Sequence, residues 1–185
     1  MTEEPRAVLV VGAQAAGKTT VGRALAHRLE RAAFIEGDVL WKMVVSGRRD
    51  MTGEPDPEAS RQLGQRYRHG ALLCESFVAS GFVAVHVDNM YGTTVTDHLA
   101  SLRCLRSLIV LRPSPESIEQ RMRERGGTAY EPWIPDGGTM LDAIRRFDAW
   151  IGEIPPIGLW IDSSTQTVDD TVDEILRRWP ESHVP

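Results

Sequence analysis

Residues Gly12-Ala-Gln-Ala-Ala-Gly17-Lys18-Thr19 fit the pattern G-x-x-x-x-G-K-[ST], and with their flanks they restrict the possible folds more than any other stretch. Upstream, Val8-Leu-Val-Val11 is an unbroken apolar run, as a strand buried on both faces requires. Downstream, Val21, Leu25 and Leu29 recur at helical spacing. Strand, glycine loop and helix in that order turn backbone N–H groups and the positive end of a helix dipole toward an anion. The residues expected to cradle a nucleotide's phosphates are Gly12, Ala13, Gln14, Ala15, Ala16, Gly17, Lys18, Thr19 and Thr20. Lys18 is expected to reach the β- and γ-phosphates and the Thr19 hydroxyl to coordinate Mg²⁺. Of 21 basic residues only Lys18 and Lys42 are lysine, so the one in this loop stands out.

The rest of the chain alternates between strand and helix patterns. Further strands are predicted over 33–36, 82–88, 107–111 and 158–162. Helices are predicted over 39–45, 57–80, 94–105, 115–125, from Thr139 to before Pro155, and from Thr167 to Trp179. Ser114-Pro115-Glu116, Thr139-x-x-Asp142 and Thr167-x-x-Asp170 supply capping signals for the last three. The helix over 57–80 is expected to bury a stripe of Leu63, Tyr67, Gly70, Cys74 and Phe77. Five strands alternating with helices predict a three-layer α/β fold around a parallel sheet. No repeat or linker breaks the 185 residues, so one domain over 1–185 is expected.

A net charge of −5 is the wrong sign for a protein that grips nucleic acid through a broad basic surface, so phosphate binding must be local. The acidic start, Met1-Thr-Glu-Glu-Pro5, does not resemble a secretory signal, and the first apolar run is too short for a bilayer. A cytoplasmic protein without membrane or nucleic-acid partners is expected. Cys74 and Cys104 lack metal-type spacing and read as buried helix positions.

Several charged residues stand where chemistry could use them. Asp88 ends the third strand, where a carboxylate points into the crevice of a parallel sheet and suits the Mg²⁺ side of a phosphate site; the other reading is a turn cap through Asn89. His86, two residues earlier, reads as a hydrogen-bonded core histidine. Asp38 follows the second strand and is either the N-cap of the next helix or the carboxylate that meets an acceptor hydroxyl. Arg121, Arg123 and Arg125 end the helix before Gly126-Gly127; they are a solvated basic end or a lid that delivers arginine to a transferring phosphoryl group.

The segments GAQAAGKTT, FIEGD, VHVDNMYG and IVLRPSPESIEQRMRERGG together resemble the small P-loop kinases of the shikimate and gluconate kinase type, and within them the chloramphenicol phosphotransferase-like group. That resemblance implies a sheet of order 2-3-1-4-5, a short lid at about 124–138, and ATP and Mg²⁺ as cofactors. It implies that Asp38 orients or deprotonates the acceptor hydroxyl, that Asp88 serves the metal side, that Arg121 packs on adenine and that Arg125 contacts phosphates from the lid. Ser163, Ser164 and Thr165 would border the adenine. The middle of the chain departs from the gluconate and shikimate enzymes, so their substrates do not carry over.

The acceptor side is expected between Trp41 and Tyr67 and near Tyr130-Glu-Pro-Trp133. Trp41, Met43, Val44 and Met51 suit a partly hydrophobic alcohol, whereas Arg48 and Arg49 could meet an anionic group. The function read from the sequence is ATP-dependent phosphorylation of a hydroxyl on a small molecule, with an antibiotic or other natural product as the candidate acceptor. A sugar, nucleoside or activated amino-sugar, the last as in zeta-type toxins, is the alternative acceptor, and a regulatory P-loop ATPase with no acceptor is the rival class. Lys18→Ala is expected to abolish phosphoryl transfer while leaving a folded chain, checked by ADP release beside a melting curve; wild-type turnover would remove the phosphate-loop assignment.

Overall fold

Strand β1 (Ala7–Gly12) runs through the centre of the sheet with all six residues buried, because both of its faces are covered. The computed structural model describes residues 3–185; Met1 and Thr2, part of the acidic start, lie outside it. Val8 and Val10 face one layer, Ala7, Leu9 and Val11 the other, as the two-residue pleat requires. The elements follow as α1 (Lys18–Arg28), β2 (Ala32–Glu36), α2 (Gly37–Lys42), α3 (Pro57–Ala79), β3 (Val83–Val87), α4 (Thr93–Ser101) and β4 (Arg106–Leu111). Then come α5 (Pro115–Glu124), α6 (Met140–Gly152), β5 (Leu159–Ile161), α7 (Val168–Arg177) and β6 (His183–Val184). The parallel order is β2-β3-β1-β4-β5, as the resemblance implied, and β6 adds an antiparallel pair at the start of β4 that the sequence did not suggest. Among the described residues no helix is long and apolar enough to cross a membrane.

Helices α1 and α7 close one face of the sheet: Val21 and Leu25 meet Val172, Ile175 and Trp179 over Val8, Val10, Val85 and Ile109. On the other face Cys74 of α3, Val95 and Leu99 of α4 and Ile151 of α6 cover Leu9, Val11, Ala84 and Val110. A third cluster, from Ile118 and Met122 of α5 to Ile144 and Phe147 of α6, lies under the loop that joins those helices. The capping signals are used as read: Ser114 caps α5, and Thr139–Asp142 and Thr167–Asp170 form capping boxes on α6 and α7.

Three expectations are corrected. Cys104 lies in the link between α4 and β4 and is only half-buried, because α4 ends at Ser101. The inward face of α3 is Gln62, Arg66, Gly70 and Cys74, with Phe77 37% exposed, so the buried stripe is rotated from the apolar one and its first half is polar. His86 makes no hydrogen bond through either ring nitrogen. Helix α3 passes so near that a Cβ at Gly70 would collide with its imidazole, and its Nε2 stands 3.5 Å from Asp88 Oδ2.

The ring of His98 of α4 lies tilted against that of His86, centre to centre 5.3 Å, and its Nε2 also lacks a partner. Burial and the neighbouring His86 push its pKa from 6.5 down to about 4. Between those values the unfolded chain binds the proton and the folded chain does not, so stability is lost as pH falls through this window. His98→Leu is expected to flatten urea-unfolding stability against pH there by about 3 kcal/mol; unchanged acid sensitivity would assign the loss to other groups.

Candidate active site

The glycine loop leaves β1 at Gly12 and enters α1 at Lys18. It turns through left-handed backbone at Ala15 (φ 61°) and at Gly17 (φ 98°), and the first is a conformation that a residue with a Cβ adopts at a cost of roughly 1–2 kcal/mol. That turn aims successive N–H groups at one concavity of about 110 Å³, bounded by the loop, Glu36, Asp38, Arg66, Asp88 and Arg125. Lys18 is buried, and its Nζ donates to the Ala13 carbonyl at 2.7 Å. Burial pulls its pKa down to about 8 although Asp38 and Asp88 favour the charged form. The Thr19 hydroxyl donates to Glu36 Oε1 at 3.1 Å, so the carboxylate at the end of β2 lies beside the loop's own hydroxyl.

Behind this concavity Arg66 joins the two aspartates read from the sequence. Its Nε donates to Asp88 Oδ2 at 3.0 Å, its Nη2 to Asp88 Oδ1, and its Nη1 lies 3.1 Å from Asp38 Oδ1. The Asp88 side chain is sealed from solvent and the guanidinium nearly so, while Asp38 is half exposed. Burial pushes the Asp88 pKa up, but His86, whose Nε2 is 3.5 Å away, and Arg66 outweigh it and hold it at about 2. Asp38 caps nothing: the N-cap of α2 is Glu36, and no side chain accepts from the helix start. Gly37 between them is needed for space, because a Cβ there would run into the Asp88 carboxylate.

Helix α5 divides its arginines. Arg123 pairs outward with Glu119 at 2.8 Å, as a solvated helix end does. Arg121 turns inward and donates to the carbonyls of Ala16, at 3.3 Å, and Ser163, at 2.6 Å, bridging the glycine loop to the loop after β5. Ser164 Oγ accepts from the Ser114 amide at 2.8 Å and Thr165 is exposed; none of Ser163, Ser164 and Thr165 lines a described cavity. Arg125 reaches the rim of the phosphate concavity.

The loop after α5 is fastened at Tyr130, whose ring is fully buried against Phe147 and whose hydroxyl donates to the Gln14 carbonyl at 3.0 Å. Tyr130 thus supports the glycine loop from below and does not line the second cavity. Trp133 does, with Trp41, in a space of about 680 Å³ that also takes in Tyr67, Tyr91, Phe147 and Trp150. Arg48 turns to Asp50 at 3.5 Å, Arg49 is tied through its amide to Gln62 Oε1 at 2.9 Å, and neither lines the space. Gln62 also donates to the Gly47 carbonyl at 3.0 Å, so α3 holds the segment between α2 and itself in place.

Gln14, Asp38, Arg66 and Asn89 border both cavities, which therefore meet at Asp38. The donors beside the phosphate concavity suit a hard divalent cation that keeps several waters: one hydroxyl, Thr19, and one carboxylate, Glu36. Asp88, expected on the metal side, has both oxygens on Arg66, so its carboxylate acts here as the anchor of that guanidinium. Arg66, Gln62 and Tyr130's contact with Gln14 were missed or misplaced by the sequence reading. The i, i+4 spacing of Gln62, Arg66, Gly70 and Cys74 was the available signal, hidden because only apolar positions count toward an amphipathic stripe.

A family model described as an AAA domain, AAA_33, matches residues 8–149. No protein of curated function matches the sequence. Among solved structures the fold is similar to a sugar kinase from Janibacter sp. HTCC2649, with a TM-score of 0.68, 19% identity, and coverage of 96% of this chain and 95% of that one. It is similar to shikimate kinase from Acinetobacter baumannii in complex with shikimate, with a TM-score of 0.60, 19% identity and coverage of 95% and 93%. The tunicamycin resistance protein of Deinococcus radiodurans aligns over 97% of this chain and 98% of its own, at 11% identity and a TM-score of 0.63. The architecture is that of the small P-loop kinases of the shikimate and gluconate kinase group.

Removing Arg66 leaves Asp88 as an unpaired buried charge, which costs far more than replacing both partners. Arg66→Met is expected to lose about 3–5 kcal/mol in urea unfolding, and Arg66→Met with Asp88→Leu to recover most of it. Additive losses would mean the two side chains do not depend on each other.

Proposed function

We propose, from the premise that this chain belongs to the AAA_33 family of AAA domains, that it is an ATP- and Mg²⁺-dependent kinase which phosphorylates a hydroxyl of a small molecule. The observation that carries this reading is the meeting of a phosphate-sized concavity with a second, larger and apolar cavity at Asp38. A regulatory ATPase needs no such second space beside the γ-phosphate position. A natural product bearing an alcohol, an antibiotic among them, suits the apolar walls, and the likeness in fold to a tunicamycin resistance protein is in keeping with that.

The residues divide the work as follows. The glycine-loop amides and Lys18 bind the phosphates, and Arg125 adds positive charge from the rim, where it counts most as charge spreads over the transferring group. Arg121, with the Ser163–Thr165 loop, borders the nucleobase side. The Thr19 hydroxyl and Glu36 would hold Mg²⁺, directly or through its waters, and the ion would supply positive charge against the phosphates. Asp38 accepts a hydrogen bond from the acceptor hydroxyl and aims its oxygen at the γ-phosphorus. As the new P–O bond forms, the bond from the γ-phosphorus to the β–γ bridging oxygen breaks, ADP leaves, and the hydroxyl proton passes to Asp38 or to water.

Asp38→Asn separates acceptor chemistry from damage to the phosphate site, because Asn keeps the shape and one acceptor oxygen but cannot take the proton. Transfer to an accepted alcohol is expected to fall by at least about 10²-fold, with nucleotide binding and slow hydrolysis by water retained. Near-normal transfer in an ADP-release assay would move the acceptor acid elsewhere.

A further inference from the structure

We propose that the acceptor carries a positive charge, a protonated amine on an aromatic or otherwise flat apolar body, and neither a carboxylate nor a phosphate. This rests on the larger cavity being the acceptor site of the kinase.

The walls of that cavity are built from Trp41, Tyr67, Tyr91, Trp133, Phe147 and Trp150. Phe147 is the hub of a rigid cluster, with Tyr91 at 5.4 Å, Trp133 at 5.2 Å and Trp150 at 4.8 Å, all edge to face. Ring faces held in this way attract a cation and stack on a flat apolar body. Arg146 already stacks on Trp150, 5.0 Å from its ring centre, yet it is not among the residues that line the cavity.

The charges point the same way. Among the described residues Arg66 is the only basic one lining the space, and it is committed to Asp38 and Asp88. Four carboxylates line it: Asp38, Asp50, Glu54 and Asp56. Asp50 is answered by Arg48 and by the indole N–H of Trp41, at 2.7 Å, and Asp56 is spent on the first amides of α3. Glu54 has no cationic partner among the described residues. An anionic acceptor would therefore leave water to face uncompensated negative charge, the kind of repulsive element that sets specificity, whereas an ammonium group is drawn in. At the junction of the two cavities, Asn89 Oδ1 is buried without a donor, an acceptor that an N–H or O–H of the bound molecule satisfies.

Three small benzylic alcohols of matched shape test this: phenylethanolamine, which is cationic near neutral pH, phenylethylene glycol, which is neutral, and mandelate, which is anionic. Binding is read by quenching of tryptophan fluorescence with no nucleotide present, so the readout does not depend on phosphoryl transfer. Phenylethanolamine is expected to bind at least about tenfold tighter than the glycol, with mandelate weakest, in keeping with the size of a desolvated cation–π contact. Glu54→Gln, an exposed substitution, is expected to narrow the gap between cation and glycol. Equal affinities, no quenching by any of the three, or tightest binding by mandelate would overturn the proposal. Failure of the kinase reading shows separately, as loss of binding of a fluorescent ATP analogue or no ADP release with any alcohol, and it leaves the order of the three affinities unchanged.

Discussion

The Arg66 guanidinium and the Asp88 carboxylate leave water together, and neither could be there alone. Removing two ions from solvent costs several kcal/mol each, so the pair is tolerable only with two parallel hydrogen bonds and further partners for what remains. Those partners are Asp38 on one side and the Asn89 amide, at 2.6 Å, on the other. The pair ties α3 to the end of β3 and thereby sets where Asp38, on α2, can stand. It also explains the two closest backbone approaches in the region, at Gly37 over Asp88 and at Gly70 over His86. The geometry of the proposed acceptor acid thus depends on a contact between an arginine in mid-helix and an aspartate at the edge of the sheet.

The phosphate side is organised from beneath in the same manner. Arg121 and Tyr130 spend their polar atoms on the carbonyls of Ala16, Ser163 and Gln14, which fixes the back of the glycine loop while its amides stay turned to the concavity. Lys18, held at the Ala13 carbonyl with a pKa near 8, is less comfortable charged than a solvent lysine. An incoming phosphate relieves that penalty, since it replaces a neutral acceptor by an anionic one. Thr19 donates to Glu36 at the end of β2, whereas Asp88, just past β3, is committed to Arg66.

In the proposed reading, phosphate binding and acceptor selection are separated physically even though the cavities touch. The first is small and polar, and Lys18 and Arg125 supply its positive charge; the second is large, aromatic and short of free cations. Under that reading the division would let one set of loops keep the nucleotide chemistry while the segment between α2 and α3 changes what is accepted, a general property of sites carried on rigid scaffolds.

The phosphate loop, the alternation of strand and helix and the helix caps were legible in the sequence because each is local: buried strand, glycine turn, capping side chain and amphipathic period act within a few residues of one another. Gly12 to Thr19, Ser114, Thr139 and Thr167 all lie where their neighbours say they should. What the tertiary structure decided is which polar groups meet across the fold. Arg66 gives no local signal and gains its role only when β3 brings Asp88 beneath it; Arg48 and Arg49 read as pocket residues until Asp50 and Gln62 draw them away. Tyr130 reads as a loop aromatic until the cluster of α5 and α6 buries its ring under Gln14. Apolar periodicity reports which face of an element avoids water, and it cannot report a face buried by charge pairing, because there the burial is stabilised by a partner distant in the chain.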